Sequence, residues 1–231
     1  MKDYKVFISC PINISKRYCI DDFFDNIINY NYNNLQYYFV DNSYDKWFRK
    51  NLIDRYGFEI DHVSPKGKKP HEYMADSMNM CLVKFLNSDC DFWFINECDV
   101  FCDKEVINRL LSKERLIVAS PYFIQLSHNS CLVGTECEKL YGNYTNRPLS
   151  WKEDFIKFNG LENKVTSAGF GAVLIHRSIL EGYTFHAKEN CFADTMFYMD
   201  MTHENIDVYR DESVIAEHRN ISWDFNTEYK K

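Results

Sequence analysis

The run Phe92-Trp93-Phe94-Ile95 constrains this chain more than any other segment. Successive side chains of an extended segment point to opposite faces of a sheet, so four apolar residues in a row need cover on both faces. That is the situation of a strand buried in the middle of an α/β sheet. The run ends on Asn96-Glu97-Cys98-Asp99. Residues i and i+2 of a strand share a side, so Glu97 and Asp99 are expected to present their oxygens together. Carboxylate oxygens suit Mg²⁺ or Mn²⁺, and open α/β sheets bind ligands at the carboxyl ends of their strands. A solvated acidic turn is the plain alternative.

The rest of the first half alternates in the same style. Val6 to Cys10 is a short apolar strand ended by Pro11. Ile20, Phe23, Phe24, Ile27 and Ile28 recur at helical spacing. Tyr37 to Val40 is a second strand that ends on Asp41-Asn42-Ser43. Trp47, Phe48, Leu52 and Tyr56 predict a helix, with Gly57 as its stop. Phe58 to Val63 reads as a third strand, and Met74, Met78, Cys81, Leu82 and Phe85 mark a helix whose methionines belong to the core. A helix over Val106–Leu111 and a strand over Leu116–Ala119 come next. This order implies a mainly parallel, twisted sheet with helices on both faces. No GxGxxG is present, so a dinucleotide fold of the usual kind is unsupported.

Composition narrows the classes. With 231 residues and a net charge of −7, the chain lacks the basic surface of a non-specific nucleic-acid coat. Nine cysteines without a CxxC pair read as reduced thiols of a cytoplasmic protein. No signal-peptide core and no apolar stretch of membrane-spanning length stands out. Lys66, Lys68 and Lys69 lie in a Pro-bounded loop, a solvated run rather than a P-loop.

The second half is less periodic. Trp151, Phe155, Ile156 and Phe158 suggest a short helix in a stretch rich in Tyr, Asn and Ser. Gly169-Phe170-Gly171 before Ala172–Ile175 points to a bulge or a close backbone approach. Arg177–Leu180 reads as a short helix closing before Gly182. Asp194 stands where a helix could begin, as its N-cap. Ile206–Tyr209 is a strand, and His218 closes the short apolar run from Val214. An imidazole beside carboxylates is a common set for Mn²⁺ or Zn²⁺.

In this order the motifs resemble the nucleotide-sugar glycosyltransferases of the GT-A fold, close to the family 2-like group. The resemblance runs from Val6 to His218. It rests on a first strand ending near Pro11, a second ending on Asp41, and Glu97-Cys98-Asp99 as a DxD variant. Gly169–Ile175 as an acceptor-side strand, Asp194 at a helix start and a downstream His218 complete it. It implies a single GT-A-like domain over 1–231, with residues 1–120 as the nucleotide-sugar half and 121–231 as the acceptor half. It also implies a metal-dependent hexosyltransferase using Mn²⁺ or Mg²⁺ held by Glu97, Asp99 and His218. The donor, a UDP-sugar for preference, is expected to meet Pro11, Asp41, Asn79, Glu97 and Asp99, and Asp194 is the expected catalytic base. The acceptor is a saccharide, a protein or a hydroxymethylated DNA base of phage type. Two rivals share the scaffold. A nucleotidyltransferase is disfavoured because Pro11–Lys16 contains no glycine to grip a triphosphate. A non-catalytic nucleotide-sugar-binding module is disfavoured by carboxylates at all three expected places.

Overall fold

Four strands, β1 (Val6–Ile12), β2 (Leu35–Asp41), β3 (Ile60–His62) and β4 (Phe92–Asn96), run parallel. Between them lie α1 (Ile20–Ile28), α2 (Lys46–Tyr56) and α3 (Pro70–Leu86). This computed structural model describes residues 3–126, 129–140, 143–150, 162–189, 191–211 and 213–219. The chain continues through β5 (Val100–Phe101), α4 (Val106–Leu111), β6 (Ile117–Ala119) and a three-stranded antiparallel sheet, β7 (Phe123–Leu126), β8 (Asn129–Leu140) and β9 (Asn143–Ser150). It closes with β10 (Glu162–Val165), β11 (Ala172–His176), α5 (Arg177–Leu180), α6 (Ala193–His203), β12 (Val208–Asp211) and β13 (Glu217–His218).

The main sheet has eight strands in the order β10-β12-β6-β11-β4-β1-β2-β3. β12 pairs parallel with β6, whereas β11 is antiparallel to both β4 and β6, and β10 to β12. The sheet is therefore mainly parallel, with two reversed strands. From β1 the chain adds β2 and β3 on one flank, then returns to place β4 on the other. This reversal opens a crevice between the carboxyl ends of β1 and β4, where such sheets hold their ligands.

Side-chain alternation builds a core on each face. Val6, Ile8, Cys10 and Ile12 of β1 and Phe92 and Phe94 of β4 pack with α1, α2 and α4. Phe7 of β1 and Trp93 and Ile95 of β4 pack against α3, α5 and α6. Local chemistry sets the helix ends. Asp45 caps α2 by accepting from the Trp47 N–H at 2.7 Å. Gly57 ends α2 in the left-handed region at φ 71°, which glycine adopts without a Cβ clash. Pro70 is the first residue of α3, where its missing N–H costs nothing. Arg177 donates to the carbonyls of Phe85, Leu86, Ser88 and Cys90, satisfying groups left over at the end of α3.

Some expectations are corrected. Pro11 lies inside β1 rather than ending it, because β4 pairs with β1 only as far as Ser9 and the ladder beyond needs donors on one flank alone. The third strand is only three residues long. The N-cap of α6 is Phe192, and Asp194 sits inside the first turn. The helix expected around Trp151–Phe158 lies outside the described residues. No helix among the described residues is long and apolar enough to cross a membrane.

Candidate active site

The ends of β1 and β2 are tied into one polar shelf. Asn13 donates to the Asn42 side chain at 2.8 Å, and its own oxygen receives the Ser15 N–H. Ser43 Oγ accepts from the Ile14 N–H at 2.7 Å. Beneath this lies Asp41, fully buried. Its Oδ1 accepts from the Ser43 N–H at 2.9 Å, while its Oδ2 has no partner among the described residues. Burial raises the carboxyl above its ordinary value, against the pull of the Ser43 bonds. Leaving a buried carboxylate oxygen unpaired is costly, which favours the protonated form of Asp41 in the same direction as its burial.

Glu97 and Asp99 do not leave a strand side by side. β4 stops at Asn96, and Val100 N–H bonds back to the Glu97 carbonyl at 2.9 Å, closing a tight turn. The i, i+2 rule fails there because the backbone is no longer extended. The turn is held from behind by Asn96, whose amide donates to the carbonyls of Val100 and Gly171. Glu97 faces a pocket, and Asp99 faces Lys16 and His218. Burial pushes the Glu97 carboxyl up to about 8, with the charges of Asp99 and Asp194 adding to the shift. For Asp99 burial acts the same way, but the His218 hydrogen bond and the Lys16 ammonium outweigh it and hold the carboxyl below its usual range.

His218 reaches this turn through β13, which pairs antiparallel with β5 so that His218 stands opposite Val100. The Arg219 N–H donates to the Asp99 carbonyl at 2.8 Å, fixing the register. His218 Nε2 then lies 3.3 Å from Asp99 Oδ2. The Tyr122 ring stands edge-on to the imidazole at 5.3 Å between centroids.

The pocket itself measures about 300 Å³. Pro11, Ile95 and Glu97 form its sheet side, Met74 and Met78 its α3 side, and Phe170, Phe192 and Asp194 much of the remaining wall. Met78 belongs to the core as expected and also lines the pocket, whereas Met74 lines the pocket without entering the core. Asp194 Oδ1 accepts from the Thr195 N–H at 2.7 Å, and burial nevertheless raises its carboxyl above the ordinary value. The glycines expected to mark a close approach do so at Gly171. A Cβ there would stand 2.3 Å from the Tyr122 ring. The Gly171 N–H donates to the Tyr122 hydroxyl at 3.1 Å, and its carbonyl accepts from Glu97 N–H at 3.0 Å.

Of the seven expected residues, Pro11, Glu97 and Asp194 line the pocket, Asp99 and His218 meet at the turn beside it, and Asp41 lies buried at the end of β2. Asn79 does not line the pocket. Its amide pairs with the main chain of Phe185 in both directions, at 2.7 Å each. Lys68 and Lys69 of the basic loop are paired with Asp76 and Glu189. Two residues at the site carried no sequence signal. Lys16 is one lysine of an unremarkable loop, and Tyr122 is one of 16 tyrosines.

Among the described residues no group of three or more His, Cys, Asp or Glu converges on a single cation position. Asp99 and His218 supply one carboxylate and one imidazole, a pair that suits Mn²⁺. A cation, the Lys16 ammonium, already rests on the same Asp99 oxygen that His218 approaches. Asp99 and His218 are the two residues here that would hold a divalent cation, in the place now taken by the Lys16 ammonium.

No protein-family model matches the sequence, and no curated protein matches it. Solved structures do resemble the fold. A197 from STIV aligns with TM-score 0.51 at 15% identity, over 94% of this chain and 86% of that one. The mannosyltransferase PcManGT from Pyrobaculum calidifontis, in complex with GDP-Man and Mn²⁺, aligns with TM-score 0.63 at 12% identity. That match covers 99% of this chain and 60% of the mannosyltransferase. S. aureus TarS 1-349 in complex with UDP-GlcNAc aligns with TM-score 0.57 at 11% identity, over 94% of this chain and 60% of that one. The fold is GT-A-like. At these identities the likeness concerns architecture, and the chain spans about three-fifths of the two nucleotide-sugar-bound neighbours.

Proposed function

We propose that this chain is a glycosyltransferase that moves a sugar from a nucleotide-diphosphate sugar, a UDP-sugar for preference, to an acceptor hydroxyl. The observation that carries this reading is that Glu97 and Asp194 line one pocket at the carboxyl edge of a GT-A-like sheet, beside the turn where Asp99 meets His218, at the point of strand reversal. The unpaired Asp41 oxygen would accept from the base or ribose of the donor. Residues 1–120 would thus hold the nucleotide, and residues 121–231 the acceptor.

Asp99 and His218 would hold Mn²⁺ or Mg²⁺, which when bound neutralises the charge that grows on the leaving diphosphate. Glu97, facing the pocket, would hydrogen-bond a sugar or ribose hydroxyl. Asp194 would accept the proton of the acceptor hydroxyl; its raised affinity for protons suits a general base. The apolar walls given by Met74, Phe170 and Phe192 match the C–H face of a sugar ring. A saccharide acceptor fits these walls, and the pairing of Lys68 and Lys69 with acids leaves that loop a poor DNA-binding face.

Incubation with a panel of UDP- and GDP-sugars and Mn²⁺, with and without saccharide acceptors, tests the reading. Nucleoside diphosphate should be released from at least one donor, and EDTA should stop it. Stoichiometric binding without release would instead indicate a binding module, and release of pyrophosphate from a nucleoside triphosphate a nucleotidyltransferase.

A further inference from the structure

Lys16 stands in a place that the proposed function does not explain. It closes the 3-10 turn Ile14–Lys16, and that turn is built into the site. Asn13 caps it, Ser43 receives its first N–H, and the Lys16 carbonyl accepts from the Cys19 N–H and thiol. The backbone of Lys16 is therefore fixed, and its side chain is aimed at Asp99. There it forms an ion pair with Oδ2, the oxygen that His218 Nε2 also approaches at 3.3 Å. Exposure is unequal across the pair: the Asp99 side chain is 6% exposed and that of Lys16 32%. The carboxylate is locked in place, whereas the ammonium has an open side to turn toward.

Charge limits what Asp99 can hold. A divalent cation held between Asp99 Oδ2 and His218 Nε2 would stand against the Lys16 ammonium on that same oxygen, and the two cations would repel at contact distance in a medium that screens poorly. A cation arriving between Asp99 Oδ2 and His218 therefore displaces Lys16. The displaced ammonium still needs an anion close by, and a diphosphate on that cation would supply one.

We propose that Lys16 is a diphosphate-binding residue that competes with the divalent cation for Asp99, so that cation and nucleotide bind cooperatively. Without nucleotide, Lys16 occupies Asp99 and cation binding is weak. With nucleotide, Lys16 transfers to a phosphate oxygen and frees Asp99 for the cation. The coupling is reciprocal: each ligand tightens the other by the same factor. The inference rests on the proposed nucleotide-sugar site and adds to it a residue and a linkage.

The test measures Mn²⁺ affinity from the electron-spin resonance of free Mn²⁺, with and without saturating UDP, in the wild type and in Lys16→Met and Lys16→Arg. UDP affinity is measured in parallel by calorimetry. Methionine keeps the apolar stem, and a thermal melt of each variant confirms that it folds. In the wild type UDP should tighten Mn²⁺ about tenfold or more, within the usual range of coupled sites. Lys16→Met should bind Mn²⁺ alone about tenfold more tightly than wild type, bind UDP with Mn²⁺ about tenfold more weakly, and lose most of the coupling. Lys16→Arg should keep most of it. Unchanged Mn²⁺ affinity in a folded Lys16→Met protein, or coupling equal to wild type, overturns the role of Lys16 while the nucleotide site stands. A wild-type protein that binds no nucleotide or nucleotide-sugar overturns the proposed function and this inference together.

Discussion

His218 Nε2 and Asp99 Oδ2 lie 3.3 Å apart although 119 positions separate the two residues in the chain. A two-residue strand pairing, β13 on β5, makes the meeting possible, and the Arg219–Asp99 main-chain bond sets its register.

Asp99→Asn should leave the fold intact and remove cation-dependent nucleotide binding. An amide oxygen in the place of Oδ2 can still accept from Lys16 and His218, but it no longer offers charge to a cation. A Tm within a few degrees of wild type, with Mn²⁺-dependent UDP affinity lost in calorimetry, is the expected pair of results. Unchanged Mn²⁺ and UDP affinities would refute the metal role.

Asp194→Asn should bind donor almost normally and transfer about 10²–10⁴-fold more slowly, the usual cost of a lost general base. Steady-state kinetics with donor and acceptor varied separately would show the loss in kcat. Full transfer activity would remove Asp194 from the chemistry.

Glu97 makes a prediction in pH. Its folded-state carboxyl titrates near 8, above the ordinary value of 4.5. The folded protein therefore holds a proton that the unfolded chain gives up. The stabilisation is complete below about pH 4.5 and is lost as pH rises through about 8. Glu97→Gln has no proton to lose. With EDTA present, its stability relative to wild type should grow between pH 5 and pH 8 by on the order of 1–3 kcal/mol, after allowance for the solvent that Glu97 still touches. Denaturant midpoints across that window measure the difference, and parallel pH profiles would contradict it. Asp99 has the opposite sign: its lowered carboxyl supports the fold at neutral pH and withdraws that support only as pH falls below about 3.8.

Gly171→Ala should destabilise the protein by about 1–3 kcal/mol, the usual cost of overpacking, because the new Cβ would meet the buried Tyr122 ring at 2.3 Å. Tyr122→Leu should cost less in the Gly171→Ala background than in the wild type. Additive costs in the double-mutant cycle would show that the two residues do not press on each other.

Much of the first half was legible because its signals are local. Apolar runs gave the parallel strands, and 3.6-residue spacing with Gly57 gave α1 and α2. The buried Phe92–Ile95 run correctly implied cover on both faces, and the two cores divide its side chains as alternation requires. The candidate residues were legible as a set because strand ends in such sheets carry polar groups. Their arrangement was not. Whether Glu97 and Asp99 share a side depends on where β4 stops, and that is set by the grip of Asn96 on Gly171, 75 residues away. Asn79 sat at a plausible helical position, but a mutual amide pairing with Phe185 claims it. Lys16 and Tyr122 reach the site through long-range contacts with Asp99, Gly171 and His218, which leave no pattern in the sequence nearby.

The most direct test of the central claim is a calorimetric titration of the wild-type protein with UDP, GDP and their sugars in Mn²⁺, repeated with Asp41→Ala. A glycosyltransferase site of the proposed kind predicts saturable one-to-one binding of at least one nucleotide. That binding should be tighter with Mn²⁺ than with EDTA, and at least about tenfold weaker when the unpaired Asp41 acceptor is removed. Absence of binding for every nucleotide and nucleotide-sugar tested would contradict it.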